Sequence, residues 1–417
     1  NTIEIDITQG ASDIKQKFKK AYERIFGHWI EHSIEVESVR VITSEKTEDK
    51  QQPRLPVIEY TPVTIRKNIY EWESLHPGAT IEGPALVVSK NSTTVVDKGW
   101  RFVLDSNNNA LLTNRSKSVT NKFGLEAELE LFSNRFTSVA YEMGAMLQRT
   151  SFSINVKERL DFSCAVLDRN GYLVVNAPHI PVHLGSLGVC VREVAQAIDI
   201  NEGDVVITNH PAYGGSHLPD VTLIKGVFVR GRLVAYVANR AHHAEIGGRK
   251  PGSMPADATT LEEEGVIISP TYLVRGGKAM WDNVEHLFMT ATWPTRLWDE
   301  NRADLNGALA AVNYGEQAMI GLCEKFGVAK VVEYMARIRE HAAELFSQKL
   351  KTLKLSQAGA VQHLDDGSPL RVEIRKRKNK LVIDFTGSSD VHPGNLNATR
   401  AIVQSVVLYV IRLLVDR

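Results

Sequence analysis

Histidines are concentrated in one part of this chain, where they could bind a metal ion. Six of the 13 histidines of the 417-residue sequence fall within positions 179–243, where a uniform distribution would place about two. Histidine is the most common metal ligand in proteins, and carboxylates frequently complete such sites. The cluster therefore predicts a metal site built from some of these histidines and from neighbouring carboxylates. The six are His179, His183, His210, His217, His242 and His243.

A hairpin would bring several of these groups together. Apolar runs on both sides of Gly231 predict two strands, and residues equidistant from Gly231 should then face each other. Asp220 is therefore expected opposite His242, with the Cβ atoms about 5 Å apart, close enough to share one ion. His243 should point to the opposite face. His217, in a glycine-rich segment three residues before Asp220, can turn toward the same ion.

Four further residues are candidates for contact with a substrate. His179 and His183 have the spacing of two ligands on one helix face, but Pro181 between them argues against a helix there. They are either loop histidines that contact the substrate or structural residues. Ser253, in a segment rich in glycine and proline, is expected in a turn or in a lid over the substrate. His243 is expected to contact the substrate or to pack on the other face of the sheet.

Composition excludes several classes of partner. Lys and Arg together number 49, as do Asp and Glu, so the formal net charge is 0. This balance argues against binding to nucleic acid or to an anionic membrane surface, and no apolar run reaches the ~18 residues that a membrane span needs. Cys164, Cys190 and Cys323 form neither a disulfide framework nor a C-x-x-C pair, which favours the reducing cytoplasm.

Common catalytic motifs are missing from the sequence. It contains neither the Gly-x-Ser-x-Gly elbow of serine hydrolases nor a glycine-rich phosphate-binding motif of the Walker or dinucleotide type. These residues by themselves therefore indicate no nucleotide pocket.

Hydrophobic periodicity predicts an α+β fold in two parts. Residues 1–113 are expected to form a small mixed α/β module with antiparallel strands, residues 114–122 a polar linker, and residues 123–417 a larger mixed α/β domain rich in antiparallel hairpins. The sequence begins within a strand-like alternation and ends within an apolar helical pattern, so we expect it to be a piece of a longer protein. Helices are expected at 14–26, 132–147, 186–200 and 301–348, and strands at 34–42, 85–88, 94–96, 101–104, 110–112, 162–167, 172–175, 204–208, 221–230, 232–238 and within 370–385.

Several sequence motifs between residues 123 and 417 resemble those of the hydantoinase B/oxoprolinase family and occur in the same order as in that family. Residues 1–113, with Gly83–Ala85 and Ser92–Trp100, resemble the carboxyl end of the companion hydantoinase A family. The hydantoinase B-like motifs are Arg149–Thr150, Lys157–Ser163, His179–Gly185, Asn209–Pro211, Gly214–Asp220, His242–His243, Ile246–Gly248, Pro251–Pro255, Asp384–Gly387 and Gly394–Ala398.

The resemblance implies an ATP-dependent opening of a lactam, 5-oxo-L-proline giving L-glutamate. It implies a divalent metal on Asp161, His217, Asp220 and His242, of which Asp161 comes from the resemblance alone. Such nitrogen and oxygen ligands suit Zn, Mn or Fe, and the ion would lower the pKa of a bound water toward about 7. ATP and Mg would be used by a hydantoinase A-like ATPase region upstream of this chain, and we expect a homo-oligomer.

Two other functions remain open at this point. In a ketone carboxylase or an N-methylhydantoinase of the same superfamily, the metal would serve a different substrate. In a protein without catalytic activity, residues 1–113 would be a docking module and the metal would be structural.

Overall fold

The computed structural model describes residues 3–5, 14–29, 33–40, 58–90, 92–115, 125–177, 180–378 and 380–415. Within these ranges the chain forms two compact units. One comprises the described residues up to Glu35 together with those from Glu126 onward, and the other comprises those from Val36 to Leu125. The division expected from the sequence, at residues 113 and 123, stays a prediction, because residues 116–124 lie outside the described ranges.

The smaller unit consists of short strands around a compact apolar core. Phe102 and Leu104 of one strand and Ile81 of its partner are almost fully buried, as period-two alternation predicts. The strands are β1 (Ile69–Glu71), β2 (Thr80–Glu82), β3 (Ala85–Val88), β4 (Thr93–Val96), β5 (Trp100–Leu104) and β6 (Ala110–Asn114). They form two sheets, β1-β3-β4 and β2-β5-β6.

The antiparallel strands expected in the amino-terminal part are confirmed: β3 pairs with β4, and β5 pairs with β6. Strand β1 adds a parallel partner to β3. Another expectation for this part is wrong. The strand expected at 34–42 is not formed in its described residues 34–40, which are mostly exposed. An alternating pattern becomes a strand only when its backbone groups find a neighbouring strand, and no described strand pairs with this segment.

The larger unit is mixed α and β, as the sequence predicted. Its helices begin with α1 (Ile14–Phe26), α2 (Leu125–Thr150), α3 (Ile154–Lys157), α4 (His183–Ala197) and α5 (Leu261–Glu264), and continue with α6 (Trp281–Met289), α7 (Trp298–Phe326), α8 (Val328–Thr352) and α9 (Arg400–Val415). Its strands are β7 (Phe162–Asp168), β8 (Leu173–Asn176), β9 (Val205–Thr208), β10 (Asp220–Val229), β11 (Arg232–His242), β12 (Thr271–Arg275), β13 (Lys278–Ala279), β14 (Gln357–His363), β15 (Pro369–Arg377) and β16 (Lys380–Asp384).

A seven-stranded antiparallel sheet forms the centre of this unit, in the order β13-β12-β9-β10-β11-β7-β8. Helix α7 covers one face and helix α4 the other, so every residue of β7 is buried. On the α7 face, the Lys225 Nζ lies 2.7 Å from the Asn313 Oδ1 and 2.7 Å from the Glu316 Oε2. The Asn239 Nδ2 donates to the Ala308 carbonyl at 2.7 Å. These buried polar contacts fix β10 and β11 against α7.

The helical region expected at 301–348 is two helices, because Gly327 ends α7 and begins α8 with a φ of 85°. Such a positive φ favours glycine and interrupts the helical hydrogen-bond ladder. None of the helices within the described ranges combines the length and the apolar character that a membrane crossing requires.

The hairpin of β10 and β11 pairs Asp220 with His242, as predicted. The reasoning behind that prediction was partly wrong. The turn is a two-residue turn in which Arg230 and Gly231 both have positive φ, 53° and 72°, so Gly231 is not its centre. A bulge at Val234 shifts the register by one residue. The two one-residue displacements cancel, which restores the expected pair at the far end of the hairpin.

Candidate metal centre

Three potential ligand atoms converge where β10 begins and β11 ends. The His217 Nε2 lies 3.0 Å from the Asp220 Oδ1, and the His242 Nδ1 lies 3.2 Å from the same oxygen. The two histidine nitrogens are 3.0 Å apart. These atoms all lie within 4.8 Å of one another. The Asp220 side chain is 2% exposed, whereas that of His217 is 40% exposed, so the group is accessible from the side of His217.

The donor set and its spacing fit a divalent metal. Ligand atoms about 2.1 Å from a tetrahedral ion lie about 3.4 Å from one another, so the three atoms of this site need to separate by only a few tenths of an ångström. Two imidazole nitrogens and one carboxylate oxygen suit Zn, Mn or Fe. The site can therefore accept an ion with little rearrangement.

Asp161 lies at the edge of this group. Its Oδ2 is 3.9 Å from the His242 Nδ1, and its backbone carbonyl accepts a hydrogen bond from the His242 backbone N–H at 3.0 Å. Its side chain is 33% exposed. Among the described residues, only His217, Asp220 and His242 meet the mutual 4.8 Å spacing. Asp161 as a fourth ligand stays a prediction.

The second oxygen of Asp220 is held by two neighbouring side chains, His183 and Ser216. The His183 Nε2, at the start of α4, lies 3.1 Å from the Asp220 Oδ2, and the His183 Nδ1 lies 2.9 Å from the Ser163 Oγ. The Ser216 hydroxyl donates to the same Oδ2. The Oδ1 is therefore the oxygen that faces His217 and His242. Substrate binding by His183 stays a prediction; the contact that the structure shows is with Asp220.

Electrostatics set the ionisation of these groups. Burial by itself would raise the pKa of Asp220, but hydrogen bonds from His183, His217 and His242 outweigh it and hold that pKa well below its usual range. Burial lowers the pKa of His183, and the Asp220 carboxylate only partly opposes this. Burial also acts to lower the pKa of His242, but the hydrogen bond to Asp220 raises it overall. An ionised Asp220 is the form that binds a cation.

A fully buried arginine joins the segments that carry these residues. The Arg240 Nε donates to the Thr222 Oγ1 at 2.8 Å, and its Nη1 donates to the Ser186 Oγ of α4 at 2.7 Å. The same Nη1 lies 3.3 Å from the Ser216 Oγ, and the Nη2 donates to the Gly214 carbonyl at 2.9 Å. The sequence analysis missed Arg240, although an arginine within a run of apolar strand residues was a visible signal.

His243 lies on the opposite face of the sheet from His242, as strand alternation predicted. Its Nδ1 is 3.1 Å from the Asn301 Nδ2 of α7, and its side chain is buried. Burial is the main cause that lowers the pKa of His243. Contact of His243 with a substrate stays a prediction.

Ser253 lies in a loop that is held by hydrogen bonds between its own residues. Its hydroxyl donates to the Gly247 carbonyl at 2.8 Å and accepts from the Ile246 N–H at 3.0 Å. The buried Glu245 carboxylate accepts backbone N–H groups from Gly247 at 2.7 Å and Gly252 at 2.9 Å. The Ser253 hydroxyl is thus already used by the backbone, and its role toward a substrate stays a prediction. His179 lies outside the described residues.

A buried asparagine links the His217 segment to the chain that follows α5. The Asn209 Nδ2 donates to the carbonyls of Leu218 and Val266, both at 2.8 Å. Its Oδ1 accepts from the Ile268 N–H at 2.7 Å. All three contacts are buried, so Asn209 holds residues 266–268 beside the ligand-bearing loop.

Comparison with known proteins identifies similar chains along most of the sequence. The Hydantoinase B/oxoprolinase family model matches residues 126–417, and the Hydantoinase/oxoprolinase C-terminal domain model matches residues 63–113. The 5-oxoprolinase of Saccharomyces cerevisiae is 33% identical, over 97% of this chain and 35% of that protein. This chain therefore spans about a third of the length of that curated relative.

Two solved structures share the fold. The ATP-dependent caprolactamase from Pseudomonas jessenii matches with a TM-score of 0.63 and 26% identity, over 69% of this chain and 50% of that chain. The nucleotide-free structure of an acetone carboxylase matches with a TM-score of 0.60 and 15% identity, over 71% of this chain and 42% of that chain. At that identity the second likeness shows the fold alone.

Proposed function

Because the chain belongs to the hydantoinase B/oxoprolinase family, as its sequence motifs indicated, we propose that it forms part of an ATP-dependent hydrolase. In this proposal the chain supplies the metal-dependent part of an enzyme that opens 5-oxo-L-proline to L-glutamate. The observation that carries this proposal is the convergence of the His217, Asp220 and His242 donor atoms at an accessible position. A relative of similar sequence that is named a 5-oxoprolinase supports the substrate.

The proposed ligands are Asp161, His217, Asp220 and His242, and the proposed ion is Zn, Mn or Fe. When bound, such an ion lowers the pKa of a coordinated water and polarises a carbonyl oxygen. The protein keeps Asp220 ionised and uses its Oδ2 for His183 and Ser216, which leaves Oδ1 for the ion.

ATP has a separate task in this proposal. An amide carbonyl is a poor electrophile, and phosphorylation of its oxygen would supply a leaving group and remove the amide resonance. We assign this step, with Mg, to a hydantoinase A-like ATPase region upstream; the structural relative described as an ATP-dependent caprolactamase supports the assignment. We also propose that the protein is located in the cytoplasm, since the three described cysteines are free and buried. A homo-oligomer is part of the same proposal.

The 417-residue chain alone should neither hydrolyse ATP nor open 5-oxo-L-proline, because the ATPase step belongs to the other region. Joined to that region, it should release phosphate and L-glutamate together. Phosphate release and glutamate formation measure the two steps, and acetone with bicarbonate serves as the competing substrate pair. ATP turnover by the chain alone, in proportion to its concentration, would contradict this division of labour. Carboxylation without glutamate formation would contradict the proposed substrate.

A further inference from the structure

Glu264, a residue that the sequence analysis did not select, lies on a segment that packs against the His217 segment of the candidate metal centre. Glu264 is the last residue of α5. The next residue, Gly265, packs on Leu218, whose Cβ would lie 3.5 Å from a Cβ placed on that glycine. Leu218 directly follows His217 in the chain, and Asn209 bonds the carbonyls of both Leu218 and Val266. The segment of Glu264 therefore runs alongside the segment of His217.

The glycine-rich loop after β11 fixes the backbone of Glu264. The Met254 N–H donates to the Glu264 carbonyl at 2.9 Å. Gly248 has a φ of 90°, and a Cβ at that position would lie 2.8 Å from the Glu264 carbonyl carbon and oxygen, so glycine permits the approach. The Val266 N–H donates to the Ile246 carbonyl at 2.8 Å. The segments Ile246–Gly248 and Pro251–Pro255, which carry part of the family resemblance, thus position Glu264.

The carboxylate of Glu264 differs from those of its neighbours. Glu263 accepts backbone N–H groups from Thr259 and Thr260 at the start of α5, and Glu262 is exposed. Glu264 is half-buried, and within the described part of the chain its side chain has no hydrogen bond or ion pair. Burial raises the pKa of Glu264, whereas the charge of His217 lowers it. An unpaired, partly desolvated carboxylate near His217 is the arrangement typical of a general base.

We propose that Glu264 is the general base for the water that attacks the lactam. This role rests on the proposed function. The lactam oxygen carries the phosphoryl group from ATP at this step. As the water oxygen bonds to the phosphorylated carbon, one water proton passes to the Glu264 carboxylate; that proton then goes to the ring nitrogen as the carbon–nitrogen bond breaks, which leaves Glu264 ionised as it began. The other proton of this water is released as the carbon–oxygen double bond forms, and the opened chain is an acyl phosphate. A second water cleaves the acyl phosphate to L-glutamate and phosphate.

The test compares Glu264→Gln with Glu262→Gln in the enzyme that combines this chain with its ATPase region and is loaded with Zn or Mn. Glu264→Gln should lower kcat for 5-oxo-L-proline opening by about 100-fold or more, with KM within about threefold of the unaltered enzyme. Glu262→Gln should leave both constants unchanged, since its carboxylate is exposed. Glu264→Asp, which keeps the carboxylate one methylene further away, should give an intermediate kcat.

A second readout does not depend on turnover. Elemental analysis of the isolated Glu264→Gln chain should find the same metal content as the unaltered chain, because a general base is not a ligand. Loss of the metal in Glu264→Gln would overturn the role, as would an unchanged kcat. An unaltered assembled enzyme that opens no lactam would overturn the proposed function and this role with it, whereas an active unaltered enzyme with an equally active Glu264→Gln variant would overturn this role alone.

Discussion

Replacing His242 by alanine should abolish the proposed binding of a divalent metal to the chain, whereas replacing His243 by alanine should preserve it. The His242 Nδ1 lies 3.2 Å from the Asp220 Oδ1 and 3.0 Å from the His217 Nε2, so its loss opens the ligand set. The His243 ring lies on the other face of the sheet, against Asn301. Elemental analysis after dialysis from metal-replete buffer measures the difference between these adjacent residues.

The expected effect on metal affinity is large. Losing a residue that merely orients a ligand costs about 10- to 100-fold in affinity, so losing a ligand itself should cost more than that. Circular dichroism of both variants provides the folding control. Retention of metal by His242→Ala together with its loss from His243→Ala would show that the hairpin register is displaced by one residue.

Arg240→Leu should lower the free energy of unfolding by at least about 3 kcal/mol, since each buried polar group left without a partner costs about 1–3 kcal/mol. The substitution removes the donors that serve Thr222, Ser186 and the Gly214 carbonyl, all of which are buried. Metal affinity should also fall, because the Ser216 hydroxyl that holds Asp220 loses its contact with the guanidinium. Urea unfolding and metal titration of the isolated chain measure the two effects.

Matched variants separate the contacts of Arg240 from its charge. Arg232→Leu, at the exposed start of the same strand, should change the free energy of unfolding by less than about 0.5 kcal/mol. Arg240→Lys keeps the charge but not the planar set of donors. Its free energy of unfolding should therefore lie between those of the Arg240→Leu and Arg232→Leu variants. Replacing a buried charge by an apolar residue is neutral in some proteins. An Arg240→Leu chain as stable as the unaltered one would place this arginine in that class.

The local parts of the site could be predicted from the sequence. Strand alternation is a property of neighbouring residues, so the pairing of Asp220 with His242 and the position of His243 on the opposite face followed from the hydrophobic pattern. The hydrophobic pattern of this hairpin did not reveal the bulge at Val234, because one extra residue in β11 does not visibly change the periodicity. The strand expected at 34–42 failed for a related reason: a pattern does not reveal whether a partner strand exists.

The parts of the site that depend on tertiary packing could not be predicted. His183 contacts Asp220 because α4 packs its first turn against the sheet, and nothing in the spacing from 183 to 220 reveals that docking. The sequence marks Arg240 as unusual, since it is a charged residue in a largely apolar strand, but the groups that it contacts are visible only in the structure. Glu264 has ordinary neighbours in sequence, and only the structure shows that its carboxylate has no partner among the described residues.

The bulge in β11 divides the hairpin into two zones that differ in their tolerance of length changes. The strand between the two-residue turn and Asp220 is about 30 Å long. Residues added at the turn do not change the register of the residue pairs between the bulge and the ligands. A single insertion or deletion between the bulge and His242 would instead exchange the two faces and bring a neighbour of His242 opposite Asp220. The turn is therefore the place to graft a tag or a fluorescent label, and gaps in alignments of related chains belong there rather than nearer the ligands.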